Sequence, residues 1–412
     1  MQVVERHLIR KADSRFAAID RAAFASKNLY NQANYQIRQA FIHEGIYVPY
    51  AAIFHRLKQH DAYCALPRKV SNSILIQLHK NWLSFFEAMQ AYREDPTPFT
   101  GRPKLPGYKD KEKGRFLLMY DKQALGKRAF KKTGKLVPSG LPIAIATKIT
   151  DWEKIAQVRI VPRLDGYMAE VVYEQQEQHA DVDHSLVAAL DLGVNVLAAL
   201  TSNKSGFVPR LISGKPLKSV NQYYNKQRAQ HQGRLSHENR FSSRQLDRVT
   251  TKRNRRVDSY LHTASRRIID LLVSERIGTL VIGKNPLWKQ EANMGRKNNQ
   301  QFVHIPHARF IDQLTYKARL VGIQIIIQEE SYTSKASFLD GDPIPTYHAN
   351  TSEKPVFSGK RIARSWYRAK DGTILHADIN GSWNILRKSS SDPLQMGRGV
   401  AGVAVLPRRL AV

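Results

Sequence analysis

Four acidic residues in the second half of the chain stand where apolar sequence gives out. Asp191 interrupts VAALDLGVNVLAAL (187–200), which reads as a buried strand, a break at Gly193 and a second apolar run. A carboxylate in such a run costs several kcal/mol if ionised and unpaired, so it needs a cation, a metal or a hydrogen-bond donor. Glu329 and Glu330 end the strand predicted over 323–328, and Asp378 stands at the mouth of a helix, HADINGSWNIL, whose apolar side runs through Trp383 and Leu386. Singly, each has a plain alternative: Asp before Gly is a common turn, and Glu-Glu is a common surface dipeptide. As a set, Asp191, a Glu (Glu329 or Glu330) and Asp378 are the hard oxygen donors required for phosphodiester hydrolysis by two magnesium ions, or manganese in their place. One ion activates the attacking water and the other stabilises the leaving oxygen. Clustered carboxylates repel without cations, so magnesium is expected to bind the empty site weakly and more tightly once nucleic acid is present.

Several elements must position these acids. The apolar run 277–282, a helix over 307–321 and the strand 323–328 follow one another in the order of a mixed α/β sheet. The strand pair in 187–200, with its hairpin turn expected at 202–206, opens in the manner of a ribonuclease-H-like sheet. Between them, 214–274 reads as a long basic helical region: from Lys204 to Arg256 there are 14 Lys or Arg, opposed only by Glu238 and Asp247. Arg240, Arg244 and Arg248, then Arg255 and Arg256, recur at three- to four-residue spacing and would line one helix face as a guide for backbone phosphates. Residues 286–302, with Trp288 and GRKNNQQ, read as polar and flexible, and 389–412 as a mobile tail.

The first half has a different texture. A weak strand over 2–8 precedes two stretches of helical spacing, 16–43 and 71–92, the second carrying Trp82, Phe85 and Phe86 on a face that reads as core rather than as a base-stacking platform. Residues 101–135 then hold 12 Lys or Arg against 3 acidic residues. Within GRPKLPGYK, the side chains of Arg102, Lys104, Tyr108 and Lys109 form a candidate phosphate-tracking surface, with a merely solvated loop as the alternative. Strands over 143–146, 157–162 and 167–173 predict a small barrel or sheet, and the polar residues 181–185 a domain boundary near 180.

Composition narrows the function classes. With 65 Lys+Arg against 35 Asp+Glu, the net charge is +30, an excess that a polyanion such as nucleic acid would neutralise. A single cysteine, Cys64, excludes an internal disulfide and any cysteine-based zinc site within one chain. No apolar run is long enough to span a bilayer and the start is charged, so no membrane partner is expected and a cytoplasmic, nucleoid-associated bacterial protein is the simplest reading.

ALDLGVN, EESYTSK and ADINGSWNIL resemble, in this order and spacing, the RuvC segments and flanking signature of TnpB, the RNA-guided nuclease of bacterial insertion sequences and a relative of type V CRISPR effectors. YNQANYQIRQAF, GRPKLPGYK and the Arg-rich region before IGTLVI extend the resemblance over most of the chain. It implies a bilobed α/β protein with a β-barrel and a helical insert: a wedge (OB-like) barrel over 1–15 and 100–180, a helical recognition insert over 16–99, and an RNase H-like RuvC domain over 181–388. It also implies a guide RNA copied from the transposon end, and target duplex DNA with a short adjacent motif, as partners.

Two departures from the family pattern stand out. The family's second acid usually ends the strand equivalent to IGTLVI, where this chain has Gly283 and Lys284, so the ligand is expected to have moved to Glu329 or Glu330. The family's zinc ribbon usually carries two CxxC pairs, whereas 331–375 here contains no cysteine; with only His348 and His376 nearby, no zinc is expected and the insert must hold itself through turns and the aromatics Tyr347, Phe357, Trp366 and Tyr367. A guide-dependent DNA-binding protein that has lost cleavage, acting as a repressor, is the competing reading, and a cut-and-paste transposase the third.

Overall fold

The computed structural model describes residues 1–285, 295–347, 355–389 and 407–412. They divide into two units, Met1–Gln175 and Gln176–Val412. In the first, β1 (Gln2–Arg10) leads into helices α1 (Phe16–Glu44), α2 (Tyr50–Leu57), α3 (Asp61–Cys64) and α4 (Arg68–Glu94). Ile19, Ala23, Ser26, Tyr30, Ala33, Ile37 and Ala40 recur every three to four residues and are all buried, with Leu29 beside them, which is why α1 forms and how it packs. It stops at Gly45, whose φ of +69° is the left-handed conformation that glycine adopts without steric cost. The facing stripe of α4 includes Ile74, Leu78 and Trp82, and the Trp82 indole N–H donates to Asn34 Oδ1 at 3.0 Å, so the aromatic stripe is core.

The rest of this unit is β2 (Leu118–Asp121), α5 (Lys127–Thr133), β3 (Lys135–Leu136), β4 (Ile145–Ala146), β5 (Ile155–Arg163) and β6 (Gly166–Glu174). The long strands make an antiparallel four-stranded sheet in the order β1-β6-β5-β2, while β3 and β4 pair with each other. Ile9, Leu118, Val158, Ile160, Ala169 and Val171 join the apolar sides of α1 and α4 in one core, so sheet and helices share a single hydrophobic interior.

In the second unit, β7 (Asp183–Leu192), β8 (Val196–Ser202) and β9 (Arg210–Ser213) form an antiparallel run. The turn joining the first two is at 193–195; residues 202–206, expected to make it, lie in the next connection instead. The apolar run after Gly193 begins pairing at once, which leaves the earlier glycine as the break. The basic region is two helices, α6 (Lys215–His237) and α7 (Arg244–Ser274), rather than one, with the Ser243 hydroxyl capping α7 by accepting from Leu246 N. β10 (Ile277–Gly283), α8 (Arg296–Val303), α9 (His307–Leu320) and β11 (Gln324–Gln328) follow. α8 is helical where GRKNNQQ predicts a flexible stretch; Trp288 and His348 lie outside the described residues.

β10 is buried along its whole length and pairs in parallel with both β7 and β11, giving the sheet order β11-β10-β7-β8-β9, with a short last strand, Arg408–Arg409, beyond β9. Helices α7 and α9 pack their apolar sides on one face. The other face is covered by the helix α10 (Ala377–Ser389), reached through a three-stranded antiparallel sheet of β12 (Lys360–Ala363), β13 (Trp366–Arg368) and β14 (Ile374–His376). Of the four aromatics expected to hold this insert, Tyr367 is fully buried and donates its hydroxyl to Lys335 O, whereas Tyr347 and Trp366 are exposed. The final residues differ from the expected mobile tail: β15 (Arg408–Arg409) lies parallel to β9 at the sheet edge. Among the described residues no helix is long and apolar enough to cross a membrane.

Candidate active site

Parallel pairing brings the ends of β7 and β10 level. Ile282 is opposite Leu190, so the next residue along each strand sets Gly283 beside Asp191, on the face that Ala189 and Val281 share with α10. Gln328, the last residue of β11, pairs with Gly283, and the chain leaves the sheet there into Glu329 and Glu330. A side chain on Gly283 would bring its Cβ within 2.5 Å of Glu330 Oε2. The Glu330 carboxylate, together with the Ile385 side chain of α10, therefore occupies the space into which residue 283 would otherwise project.

The backbone around Glu330 is fixed locally. Its N–H donates to Asn285 Oδ1 at 3.0 Å, its carbonyl accepts from Thr333 Oγ1 at 2.9 Å, and Tyr332 sits at a φ of +63°, a conformation costly for an aromatic residue. Its Oε2 atom is buried with no hydrogen-bond partner among the described residues. An orphaned buried carboxylate oxygen is a site that a cation would satisfy. Glu329 has a different neighbourhood: it accepts from Ser331 N at 2.6 Å and pairs with Lys388.

On α10, Asp378 lies in the first turn and Gly381 follows one turn later, against Asp191. A Cβ on Gly381 would come 2.7 Å from Asp191 Oδ2, so only glycine allows the helix to approach this closely. Asn380 and Asn384, four residues apart and fully buried, hold the loop after Glu330: Asn380 donates to Ala336 O and accepts from Phe338 N, and Asn384 donates to Thr333 O and Ala336 O. Ser382 donates to Ala189 O on β7, and Trp383 stacks on Phe338 with ring centroids 5.0 Å apart. Sequence reasoning passed over Asn380, Asn384 and Gly381 as positioning residues. The signal was present in the Asn-x-x-x-Asn spacing, which puts two amides on one side of a helix.

Electrostatics ties the acids together. The Asp191 carboxyl is pushed well above the usual carboxylate range, first by burial, then by the negative charges of Glu330 and Asp378. Glu330 is pushed up to about 7 by burial and then by Glu329. Asp378 is raised by burial, against the opposing pull of His376, Arg361 and Arg364; the Arg361 guanidinium, on β12, is 3.6 Å from its carboxylate. For Glu329, burial acts upward but the hydrogen bonds from Lys388 and Ser331 prevail, and its carboxyl is lowered. Asp191 is thus the carboxyl that both Glu330 and Asp378 repel, and the three are hard oxygen donors, the chemistry that suits magnesium. Among the described residues, no three His, Cys, Asp or Glu side chains are already drawn into a metal cage.

The basic residues fall on two surfaces. In the first unit, Arg102, Lys104 and Tyr108 are exposed, while Lys109 lies over the Tyr30 and Phe116 rings. Their loop is fastened from below by α1: Lys27 donates to Lys111 O, Asn31 to Lys109 O, and Asn34 and Arg38 to Pro106 O. Backbone carbonyls are satisfied on the helix side, and the Arg102 and Lys104 side chains are exposed. In the second unit, Arg244, Arg248 and Arg256 are exposed on α7 and Arg255 is half-buried. Arg240 is not on that helix; it lies in the turn before it, 3.1 Å from Glu238.

Known proteins match along the same stretches. A family described as a probable transposase, OrfB_IS605, matches residues 170–288, and a Cas12f1-like TNB domain matches 307–385. A TnpB-like protein, ORF457 of Acidianus two-tailed virus, is 23% identical over 404 residues, covering 90% of this chain and 82% of that protein. A cryo-EM structure of a Cas12f1–sgRNA–target DNA complex superposes with a TM-score of 0.51 at 14% identity, covering 89% of this chain and 81% of that one, a likeness of fold. The region of Asp191, the region of Glu330 and Asp378, and nine-tenths of the whole length match the same kind of protein, and the chain is similar to TnpB proteins.

Proposed function

We propose that this protein is a transposon-encoded, RNA-guided DNA endonuclease that hydrolyses phosphodiesters with Asp191, Glu330 and Asp378 as its acidic set. The observation that carries the reading is the Glu330 carboxylate lying in the space beside Gly283, level with Asp191. A family acid has gone from the end of β10, and another enters the same space from the end of β11. Simple decay of the site gives no reason to bury an unpartnered carboxylate there.

Asp191 and Glu330 present oxygens from the ends of β7 and β11, the two strands that flank β10, and Asp378 presents one from the first turn of α10. Magnesium, or manganese, when bound by these oxygens supplies an activated water and a counter-charge for the leaving oxygen. Glu329, neutralised by Lys388, holds the turn that aims Glu330. In this reading 1–15 and 100–180 form an OB-like wedge, 16–99 a recognition insert, and 181–388 an RNase H-like RuvC domain, with 331–375 as a cysteine-free counterpart of the zinc ribbon. A guide RNA and a target duplex with a short adjacent motif are the partners, the same two classes of nucleic acid as the sgRNA and target DNA of the Cas12f1 complex, and base pairing carries the sequence specificity.

The test is to express the protein with its native flanking DNA, sequence the RNA that co-purifies, and challenge the complex with duplexes of randomised flanks, with and without magnesium. Guide-directed, magnesium-dependent cuts are expected. Guide-directed binding without cuts would instead identify a repressor, the reading that Gly283 favours, and transposon-end binding without RNA would identify a transposase.

A further inference from the structure

The outer face of the first unit's four-stranded sheet carries a cluster that the proposed nuclease chemistry does not use. Glu170, on the inner strand β6, is buried although it lies on the face opposite the core residues Ala169 and Val171. It is covered by arginines. In the register of the sheet Arg6 on β1 and Arg159 on β5 stand directly opposite it on either side, and Arg163, further along β5, leans back toward it. The guanidinium nitrogens lie 3.4, 2.9 and 4.0 Å from its oxygens, three ion pairs of which the Arg159 contact is the shortest.

One carboxylate cannot spend the donors of three guanidiniums. Arg6 and Arg163 are half-exposed, and Arg159 Nε is buried with no hydrogen-bond partner among the described residues. A pair that served only to stabilise the sheet would need one arginine. Here a buried anion draws three within ion-pair reach, with two positive charges in excess and the Arg6 and Arg163 guanidiniums at the surface. Guanidinium groups gathered in this way are suited to recognition of phosphate.

We propose that Arg6, Arg159 and Arg163 form a phosphate-binding site for the sugar–phosphate backbone of nucleic acid, with Glu170 as the residue that positions them. The site rests on the nucleic-acid-dependent reading of the protein, but it is separate from the acidic set and is tested by binding rather than by cutting.

The experiment uses the full chain, a fluorescein-labelled hairpin RNA and a labelled DNA duplex of equal length, and anisotropy titrations across a range of salt. The Arg6→Gln/Arg159→Gln/Arg163→Gln variant is expected to bind at least one probe roughly ten-fold or more weakly. Its slope of log affinity against log salt should be shallower by about 2 units, one for each surplus charge. Loss with the RNA alone assigns the site to a guide, loss with the duplex alone to the target, and either supports the proposal. Glu170→Gln separates a built site from diffuse charge: it raises the positive charge of the face, so weaker binding supports positioning, and tighter binding overturns it. If the triple variant does not fold, Arg6→Gln/Arg163→Gln, which alters only half-exposed side chains, takes its place, with a slope shallower by about 1 to 2 units expected. Unchanged affinity and slope for both probes would overturn the site. Cleavage by the unaltered protein is scored separately, so failure of the nuclease reading shows there and failure of the phosphate site shows only in binding.

Discussion

The Glu330 carboxyl, pushed up to about 7, makes the protein's behaviour depend on pH near neutrality. Its folded value lies above the ordinary 4.5, so the native state keeps a proton that the unfolded chain releases between those two values. Metal-free stability should therefore fall as pH rises from about 4.5 to about 7 and level off above, by at most roughly 3 kcal/mol from this group. Asp191 and Asp378, also raised, act in the same direction. Urea denaturation across this range checks the sign, and Glu330→Gln should flatten the slope. Magnesium favours the ionised form, so thermal stabilisation by magnesium should be small at pH 5.5 and larger at pH 8. Gly381 gives a second prediction at this scale. A Cβ there meets Asp191 Oδ2 at 2.7 Å, so Gly381→Ala must displace either the carboxylate or α10, and should cost about 1–3 kcal/mol in stability and most of the metal-dependent cleavage. Wild-type cleavage by this variant would show that the close approach is incidental.

At the scale of elements, Asn380 couples α10 to the loop that follows Glu330. Asn380→Ala would leave Ala336 O without that donor and Phe338 N without that acceptor in a buried place, costing about 1–3 kcal/mol, with a larger loss of cleavage than Arg256→Gln on the exposed face of α7. Denaturation midpoints and cleavage rates of the two variants check this. Much of the sheet was legible because its strands are continuous apolar runs bounded by glycine or by charge: 277–282 announces a strand buried on both faces, and 323–328 its neighbour. Asp378 at a helix mouth was legible from the same pattern. Residues 202–206 misled because serine, asparagine and glycine mark turns without saying which strands they join. The break at 238–243 was hidden because basic residues keep their spacing through a short turn. Which of Glu329 and Glu330 turns inward was also beyond the sequence: it depends on Lys388, 59 residues later, and on Asn285 from another strand end.

For the whole molecule, the net charge of +30 governs how any nucleic acid is held. Surfaces on both units present exposed arginines or lysines, and their phosphate contacts release counterions on binding. If six or more phosphates are neutralised, affinity for RNA should fall by about 10³-fold or more between 50 and 200 mM salt. A flat salt dependence would contradict a phosphate-dominated interface. The fold gives each unit its own part: the first joins helices and a sheet in one core beneath a basic loop, and the second gathers its acids at one end of a mixed sheet.

The most direct test of Glu330 as the relocated acid compares magnesium-dependent cleavage by the guide complex carrying Glu330→Gln with that carrying Glu329→Gln, at equal guide loading. A fall of at least about 100-fold is predicted for Glu330→Gln and of less than about ten-fold for Glu329→Gln, with guide binding unchanged in both. Full cleavage by the Glu330 variant would contradict that role.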